Sequence, residues 1–378
     1  MKVLHINSYY SVSSFYRNLY DKQIEKGLDL DVFVPVSSSS KSSDLLMDEY
    51  TKVSANHSKC DRFIFHLKHN KIYKDIRNNY NISDYSVIHA HSLFSNGYIA
   101  LKLKKEYGTP YVVAVRNTDV NTFFKYMINL RKIGLNILKE SEKIIFLSNA
   151  YKQQVLEKYI PLHMQNEIES KVEVIPNGID DFWLKNKVGF KLLQSNERLK
   201  LLYIGVINKN KNILKTIEAI EILRNSGRDI SLTIVGKVQD KSIFNKIGNY
   251  PFVKYLKPMK KEELLLIYRD HHIFVMPSTS ESFGLVYAEA MSQGLPVIYS
   301  EGQGFDRQFE EGLVGYHVNS GDSIDISEKI VLIQENYSEI SSNCVKSVDK
   351  FRWESISNKY SNIYVNIANR SHPKNLKV

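Results

Sequence analysis

The sequence predicts an α/β protein made of two doubly wound, Rossmann-like domains. Short β-branched runs alternate with longer helical patterns, which is typical of parallel sheets covered by helices. The 378 residues also exceed the roughly 250–300 at which a single hydrophobic core usually stops growing. A turn sequence at residues 176–180 separates two sets of such runs. Two domains of similar size are therefore expected.

The expected strands divide into two groups along the chain. In the first half they cover residues 3–6, 31–35, 87–90, 111–115, 143–147 and 172–175. In the second half they cover residues 200–204, 231–235, 253–256, 273–276, 296–299 and 315–318. The predicted organisation is an N-terminal domain at 1–180, a linker at 181–198, a C-terminal domain at 199–350 and a helical segment at 351–378 that packs back on the first domain. The serines at 37–40, with Ser42 and Ser43, show no periodicity and indicate a flexible surface loop.

Composition excludes several classes of protein. With 43% hydrophobic and 24% charged residues the chain is an ordinary globular protein, and its two cysteines, Cys60 and Cys344, are too few for a disulfide framework or a zinc site. The N-terminus reads as a strand, and no apolar run approaches the ~18–20 residues that span a bilayer. A cytoplasmic protein is expected. The net charge of +10 suits an anionic lipid surface or a phosphorylated substrate, whereas no motif for nucleic acid is present and no nucleic-acid partner is expected.

Residues 123–139 form an apolar stretch with basic residues on one side, and two interpretations are open. A helix of this kind suits an anionic membrane surface, with Lys125, Arg131, Lys132 and Lys139 facing the lipid. The same pattern is typical of a helix that covers a sheet. Packing is the preferred interpretation, because parallel strands need a connecting helix at this position.

The most informative region is residues 277–291, which read PSTSESFGLVYAEAM. A strand ends at Pro277, and a helix is predicted to begin near Gly284 at the carboxyl edge of a parallel sheet, where ligands of doubly wound folds bind. The backbone amides of its first turn would lack intrahelical partners, and the helix dipole favours an anion there, so a pyrophosphate fits. Glu281 and Glu289 would lie at most ~12 Å apart, at ~1.5 Å per residue.

This region resembles, nearly letter for letter, the large retaining glycosyltransferase family four. The shared pattern is Pro-Ser before the loop, two glutamates that flank seven residues, Phe-Gly after the first glutamate, and a later Gly-x-Pro-Val-Ile. Further matches follow in the family's order, namely Gly205, Lys211-Asn212, the turn at 176–180, the strand and glycine at 232–236, His89, His91 and Ser148. The resemblance implies the GT-B fold, in which two Rossmann-like domains face each other across a cleft.

The resemblance also implies roles for individual residues. Lys211 would neutralise the donor pyrophosphate, Glu281 would contact the transferred sugar near its reacting carbon, and Glu289 would bind the ribose hydroxyls. Backbone amides would come from Phe283, Gly284, Leu285 and Val286, and the donor site would be completed by Gly205, Lys209 and Asn177. The physics agrees, because a lysine and oriented amides can stabilise a leaving nucleotide diphosphate without a metal.

Three positions depart from the family pattern. Val206 stands where the family usually has a phosphate-binding arginine, and the nearby Lys209 is a candidate substitute. Arg116 occupies the place of a histidine found in many members; it cannot act as a base but could grip a phosphate or carboxylate, and a structural ion pair with Asp119 is the alternative. The loop at 8–17 lacks the usual glycine pair, and its serines and Arg17 would line the acceptor side.

The expected activity is therefore that of a hexosyltransferase (EC 2.4) that retains the anomeric configuration. It would take a nucleotide diphosphate sugar, with UDP favoured, and would need no cofactor or metal. The acceptor would be a glycan or a lipid-linked molecule in cell-surface polysaccharide synthesis, at the inner face of the plasma membrane. Two rivals remain: a sugar-nucleotide epimerase or phosphorylase of the same architecture, and a catalytically degenerate partner subunit.

Overall fold

The computed structural model describes residues 1–10, 15–40, 48–194 and 197–371, which form two compact units. The first unit comprises Met1–Leu147, Tyr151–Pro176 and Trp353–Val378, and the second comprises Ser148–Ala150 and Asn177–Arg352. Each unit is a parallel β-sheet with helices on its faces, which makes both units Rossmann-like. The described residues of 181–198 belong to the second unit.

Both sheets contain parallel strands only, among the residues described. The strands are β1 (Lys2–Ile6), β2 (Asp29–Ser37), β3 (Thr51–His57), β4 (Val87–Ala90), β5 (Tyr111–Val115), β6 (Lys143–Phe146), β7 (Val172–Val174), β8 (Leu199–Ile204), β9 (Ile230–Val235), β10 (Val253–Leu256), β11 (Ile273–Val275), β12 (Val297–Ser300) and β13 (Gly315–Val318). The first sheet has the order β3-β2-β1-β4-β5-β6-β7, and the second has the order β10-β9-β8-β11-β12-β13. In both, the chain moves outward on one side of a central strand and then on the other, which places a switch point at the carboxyl edge.

Helices connect most of the successive strands, whereas turns join β12 to β13. The described α-helices are α1 (Phe15–Glu25), α2 (Phe65–Asn79), α3 (Ser95–Tyr107), α4 (Arg131–Glu140), α5 (Asn149–Tyr159), α6 (Leu162–Glu169), α7 (Asp181–Lys185), α8 (Ile213–Asn225), α9 (Lys241–Ile247), α10 (Lys261–Asp270), α11 (Leu285–Ser292), α12 (Ser323–Glu335), α13 (Tyr337–Ser347) and α14 (Trp353–Ser371). Shorter 3-10 turns include Cys60–Phe63, Ile128–Leu130 and Lys209–Lys211, and one π-helical turn covers Asp119–Phe124.

The side chains of the first sheet point alternately to its two faces, and both faces are buried. Leu4, Ile88 and Val113 belong to a core shared with α2 to α5, whereas their neighbours Val3, Val87 and Val112 belong to a second core shared with α1 and α14. Burial on both faces explains why these strands read as continuous apolar runs. The last helix, α14, is thus part of the first unit, although the chain reaches it only after completing the second.

Every expected strand is present, and no bound differs from the predicted one by more than two residues. β3 was not predicted, because Thr51–His57 is an edge strand of mostly half-buried residues without an apolar run. The prediction of one helix over 123–139 is wrong. The chain there passes through the π-helical turn, an exposed segment at 125–129 and then α4. Arg131 Nε donates a 2.7 Å hydrogen bond to the Phe124 carbonyl. In a continuous helix this carbonyl would accept a hydrogen bond from a backbone N–H instead.

Two loop predictions can be compared with the structure only in part, because some of their residues lie outside the described ranges. Ser37 ends β2 and Ser38 to Ser40 form an exposed turn, whereas Ser42 and Ser43 lie outside the described residues. In the loop at 8–17, residues 11–14 likewise lie outside them, and Arg17 pairs with Asp48. Within the described ranges, no helix has both the length and the apolar composition needed to cross a bilayer.

Candidate functional site

The start of α11 is fixed by Gly284, which confirms the predicted helix start. Gly284 is the N-cap and has φ 75° and ψ 65°, a left-handed conformation that favours glycine. A Cβ at this position would lie 2.3 Å from Cε2 of Tyr287, whose hydroxyl is itself anchored to the Met276 carbonyl at 2.6 Å. The glycine is therefore required by the fold of the loop as well as by any close approach of a ligand.

The first turn of α11 presents free amides. Its first helical hydrogen bond runs from Tyr287 N to the Gly284 carbonyl, at 3.0 Å, so the amides of Leu285 and Val286 have no acceptor within the helix. The side chain of Phe283 is buried against Phe305 and Phe351, at ring-centroid distances of 6.1 and 5.6 Å. The ring of Phe283 thus anchors the loop. The N-terminus of the helix offers an anion its N–H donors and the positive end of the helix dipole.

Lys211 and Glu281 meet in an ion pair just before this helix. Their side chains are only 20% and 11% exposed, so the two charges compensate each other in a largely desolvated place. Lys211 ends the 3-10 turn Lys209–Lys211, which Asn208 caps by accepting a 3.0 Å hydrogen bond from Lys211 N. Lys209 is exposed in the same turn. The structure therefore brings together the two residues predicted for the pyrophosphate and the sugar.

Two residues that sequence reasoning missed hold the Lys211 turn and the Glu281 loop in place. Asn210 accepts a 2.8 Å hydrogen bond from Thr279 N on its carbonyl and donates one of 2.8 Å from its side chain to the Ser280 carbonyl. From the other side, Gln303 Oε1 accepts from Glu281 N at 3.0 Å. The only available signal was the turn sequence Gly302-Gln303-Gly304 after β12.

Glu289 lies one turn inside α11 in an aromatic setting. The Tyr268 hydroxyl donates a 3.1 Å hydrogen bond to Glu289 Oε2, and the Trp183 indole also hydrogen-bonds this carboxyl group. The two rings meet edge to face at 5.3 Å. Burial raises the pKa of Glu289 to about 7, and the hydrogen bond from Tyr268 opposes this shift without cancelling it. Tyr268 and Trp183 were not predicted, because single aromatic residues in helices look like ordinary core residues.

Gly205 and Asn177 occupy separate places in the second unit. Gly205 follows β8, and its amide donates a 2.9 Å hydrogen bond to the Val235 carbonyl. The tight backbone contact belongs to Gly236, where a Cβ would lie 1.8 Å from the Gly205 carbonyl oxygen. Asn177 is partly buried and is the first residue after the crossing from the first unit.

Arg116 lies in the first unit, whereas the residues predicted for the donor site lie in the second. It is 7% exposed, its Nε donates a 3.2 Å hydrogen bond to the His91 carbonyl, and its guanidinium lies 5.9 Å from the centre of the Tyr16 ring. Asp119 accepts hydrogen bonds from three backbone amides, those of Arg116, Leu93 and Phe94. Burial raises the pKa of Asp119 to about 6 in spite of these bonds. The local contacts of Arg116 are therefore mainly to backbone and aromatic rings.

Among the described residues, one group has the composition of a metal site: His5, His89 and His91, whose ligand atoms lie within 4.8 Å of one another. All three are fully buried, and burial lowers the pKa of His5 to about 3 and those of His89 and His91 well below the usual range. His5 Nδ1 and His91 Nε2 are 3.0 Å apart, and His89 Nδ1 is 2.6 Å from the Tyr364 hydroxyl. Each ring thus uses one nitrogen in a hydrogen bond, as in a packed polar cluster.

Known proteins match the chain over nearly its whole length. The family model described as glycosyl transferases group 1 matches residues 185–376, and the one described as glycosyltransferase family 4 matches residues 12–181. The alpha-monoglucosyldiacylglycerol synthase of Acholeplasma laidlawii is 24% identical over 317 residues, which cover 76% of this chain and 77% of that protein.

Solved structures agree on the fold. Sucrose-phosphate synthase from Thermosynechococcus elongatus superposes with a TM-score of 0.74 at 16% identity, over 97% of this chain and 99% of that one. Anabaena HepE in complex with UDP-glucose superposes with a TM-score of 0.67 at 15% identity, over 97% and 100% of the two chains. The chain belongs to the group 1 glycosyl transferases, as a glycosyltransferase of family four with the GT-B type of fold and hexosyltransferase activity, EC 2.4.

Proposed function

We propose that this glycosyltransferase, which acts on a nucleotide sugar, transfers a hexose from a UDP-sugar with retention of the anomeric configuration and without a metal ion. The acceptor is a glycan or a lipid-linked molecule, and the reaction serves the synthesis of cell-surface polysaccharide. It takes place in the cytoplasm, at the inner face of the plasma membrane.

The proposal depends on one observation: the Lys211–Glu281 ion pair stands next to the free amides of α11. Cleavage of the sugar–phosphate bond leaves a nucleotide diphosphate with growing negative charge. A lysine and preorganised amides in a site of low polarity stabilise such charge, as a metal ion does in other enzymes. Donor binding would draw Lys211 toward the pyrophosphate and leave Glu281 next to the sugar.

The environment of Glu281 favours an electrostatic role over nucleophilic attack. Its carboxylate is engaged by Lys211 and accepts a 3.0 Å hydrogen bond from Ser282 N, and both contacts reduce its nucleophilicity. A double displacement would also need a second carboxyl group about 5–5.5 Å away. We therefore favour front-face attack within an ion pair, in which the departing phosphate accepts the proton of the acceptor hydroxyl.

The remaining assignments follow from position and from the relatives. Glu289, held by Tyr268 and Trp183, is suited to accept hydrogen bonds from the ribose hydroxyls once it is ionised. A UDP donor is supported by the Anabaena protein, whose structure was solved with UDP-glucose. A lipid-linked acceptor is supported by the name of the Acholeplasma relative, a glucosyldiacylglycerol synthase.

The decisive test compares Glu281→Gln with Glu262→Gln, a matched control at an exposed position of α10. Release of nucleotide diphosphate from UDP-sugars is measured with each variant, together with the thermal midpoint. We expect Glu281→Gln to lose transfer by about 10²–10³-fold with an intact fold, and the control to behave as wild type. Undiminished transfer by Glu281→Gln would refute its role.

Two further measurements address the donor and the stereochemistry. Thermal shifts with UDP, GDP, ADP and CMP sugars identify the base, because a ligand that binds only the folded state raises the melting temperature. NMR of the product shows whether the anomeric configuration of the donor is kept. Donor binding without turnover across all donors and acceptors would instead favour a degenerate partner subunit.

A further inference from the structure

The first unit exposes a group of large apolar side chains, here called the apolar tip. It consists of side chains that are 38–77% exposed, namely Phe63, Ile64, Leu67, Tyr126, Met127 and Ile128. They come from two short segments at the starts of α2 and α4. A single exposed leucine needs no explanation, but a group of this size on one surface indicates an interaction site.

The two segments are anchored to each other and to the core. The rings of Phe65 and Phe123 lie 6.3 Å apart, and both residues pack against the buried core cluster below. Phe123 also stacks on Phe94 at 4.7 Å. The exposed side chains on either side of this contact therefore project from two turns that are packed against the core.

A basic pocket adjoins the apolar tip through Leu67. Its volume is about 520 Å³, and it is lined by Leu67 and by four cationic side chains on α2 and α3: Lys71, Lys74, Arg77 and Lys102. The pocket floor includes Tyr73, whose ring lies 4.1 Å from the Lys102 ammonium. The two neighbouring acids are already engaged, Asp61 by Lys71 and Glu106 by Arg77. Lys74 and Lys102 leave the pocket with a positive excess that suits a phosphate group.

The two segments that carry the apolar tip contain basic residues but no acidic ones. No aspartate or glutamate occurs at residues 62–74 or 120–139. Basic side chains flank the tip instead, including Lys125, whose ammonium lies 5.1 Å from the Tyr126 ring, and the exposed Lys132. Apolar and aromatic side chains at the centre with basic ones around them match the interface of a bilayer that contains anionic lipid.

We propose that the apolar tip and the basic pocket form a docking site for an anionic phospholipid bilayer, with the tip inserted among the acyl chains and a lipid phosphate held in the pocket. A bilayer accounts for features that a protein partner would not require together. The exposed side chains of the tip project from two turns, and the cations line a pocket that Leu67 joins to the tip. The inference rests on the proposed location at the membrane, but not on the assignment of any catalytic residue.

The experiment measures sedimentation of the full chain with vesicles of phosphatidylcholine alone and with vesicles that contain ~30% phosphatidylglycerol. We expect binding to the anionic vesicles only, weakened by raised salt. The variants Phe63→Ser with Ile128→Ser, and Lys74→Glu with Lys102→Glu, should each weaken binding at least tenfold. The matched control, Leu266→Ser with Ile324→Ser, removes apolar side chains of similar exposure (64% and 59%) from the second unit and should bind as wild type.

Thermal midpoints and UDP affinity of each variant show that the fold is kept, so a failure of docking is distinguishable from a failure of the proposed catalytic function. Glycerol phosphate at millimolar concentration should not compete, which separates a bilayer from free phosphate. Equal binding to neutral and anionic vesicles, or equal loss in the control, would overturn the proposal. The proposal would also be overturned if the chain did not bind vesicles but associated with itself, and if Ile128→Ser abolished that self-association. A second copy of the chain would then cover the tip.

Discussion

Lys211 and Glu281, 70 positions apart in sequence, neutralise each other in an ion pair whose side chains are only 20% and 11% exposed. Each was expected to face a different part of the donor, one the pyrophosphate and the other the sugar. The pairing holds the two charges side by side in a largely buried place. Donor binding is then expected to exchange the contact of Lys211 with Glu281 for a contact with the pyrophosphate, whose developing charge the lysine stabilises.

A double-mutant cycle tests this coupling. Lys211→Met and Glu281→Gln should each lower kcat/KM by about 10²–10³-fold, and the double variant should be little worse than either single one, because they act as a unit. Kinetics on a UDP-sugar give the four values. Strict additivity of the two effects would show that the residues act independently.

The aromatic setting of Glu289 predicts opposite effects on stability and on binding. Burial raises its pKa from the ordinary value near 4.5 to about 7. Between these values the group ionises in the unfolded chain but stays largely protonated in the folded protein, so the free energy of unfolding falls as pH rises. Glu289→Gln should therefore stabilise the protein at pH 8, by up to about 3 kcal/mol, and should have no such effect near pH 4.5. Denaturation at the two pH values measures this difference.

The same residue should make donor binding depend on pH. If the ribose hydroxyls bind the carboxylate, the affinity of the wild type for a UDP-sugar, whose phosphates stay fully ionised in this range, rises as pH increases through about 7, because the carboxylate form becomes populated. The affinity of Glu289→Gln should be weaker and flat over this range. Calorimetric titration from pH 5.5 to 8.5 distinguishes the two curves, and a flat wild-type curve would contradict the ribose assignment.

Gly205 and Gly236 should respond differently to alanine. A Cβ at Gly236 would meet the Gly205 carbonyl at 1.8 Å, so Gly236→Ala should destabilise the second unit by at least about 1–3 kcal/mol. At Gly205 the nearest atoms are the Tyr203 hydroxyl at 3.3 Å and Met276 Sδ at 3.4 Å, so Gly205→Ala should fold. Reduced UDP affinity of a stable Gly205→Ala would support its place in the donor site, and unchanged affinity would remove it.

The buried histidines predict acid sensitivity of the first unit. Their pKa values in the folded protein lie below the ordinary 6.5, so the stability that they confer as neutral groups is present above about pH 6.5 and is lost as pH falls toward the folded pKa. In His89→Asn, about one proton fewer is taken up on unfolding, so the slope of the free energy of unfolding against pH should decrease by about 1.4 kcal/mol per pH unit. Asp119, with its raised pKa, acts in the opposite direction below about pH 6 in both proteins. Urea denaturation between pH 7.5 and 5 compares the slopes, and equal slopes would contradict the prediction.

Local patterns predicted the fold better than the contacts of the site. β4, β5, β10 and β13 match their predicted bounds, and β5 and most of β4 are apolar runs of the kind that predicts a strand. The start of α11 was predictable from a glycine and a polar loop. β3 was missed because an edge strand needs little apolar surface.

The contacts of the site depend on loops that sequence reading does not bring together. The approach of Lys211 to Glu281 requires Asn210 to bind the 279–280 backbone, and the hydrogen bonds that hold Glu289 come from Tyr268 and Trp183 on two other helices. Positive charge at 125–132 was recognised, but not the turn at 63–67 that shares its surface. Contacts between segments far apart in sequence carry no local periodicity from which they could be read.

The position of α14 has a consequence for biosynthesis. Because the first unit is completed by Trp353–Ser371, the ribosome must translate the whole of the second unit before the first can close its core, in which Trp353, Tyr360 and Tyr364 are buried. The second unit, apart from Ser148–Ala150, is contiguous and can assemble earlier during elongation. A premature stop codon shortly before residue 353 would therefore leave the nascent first unit open, while the second had already matured.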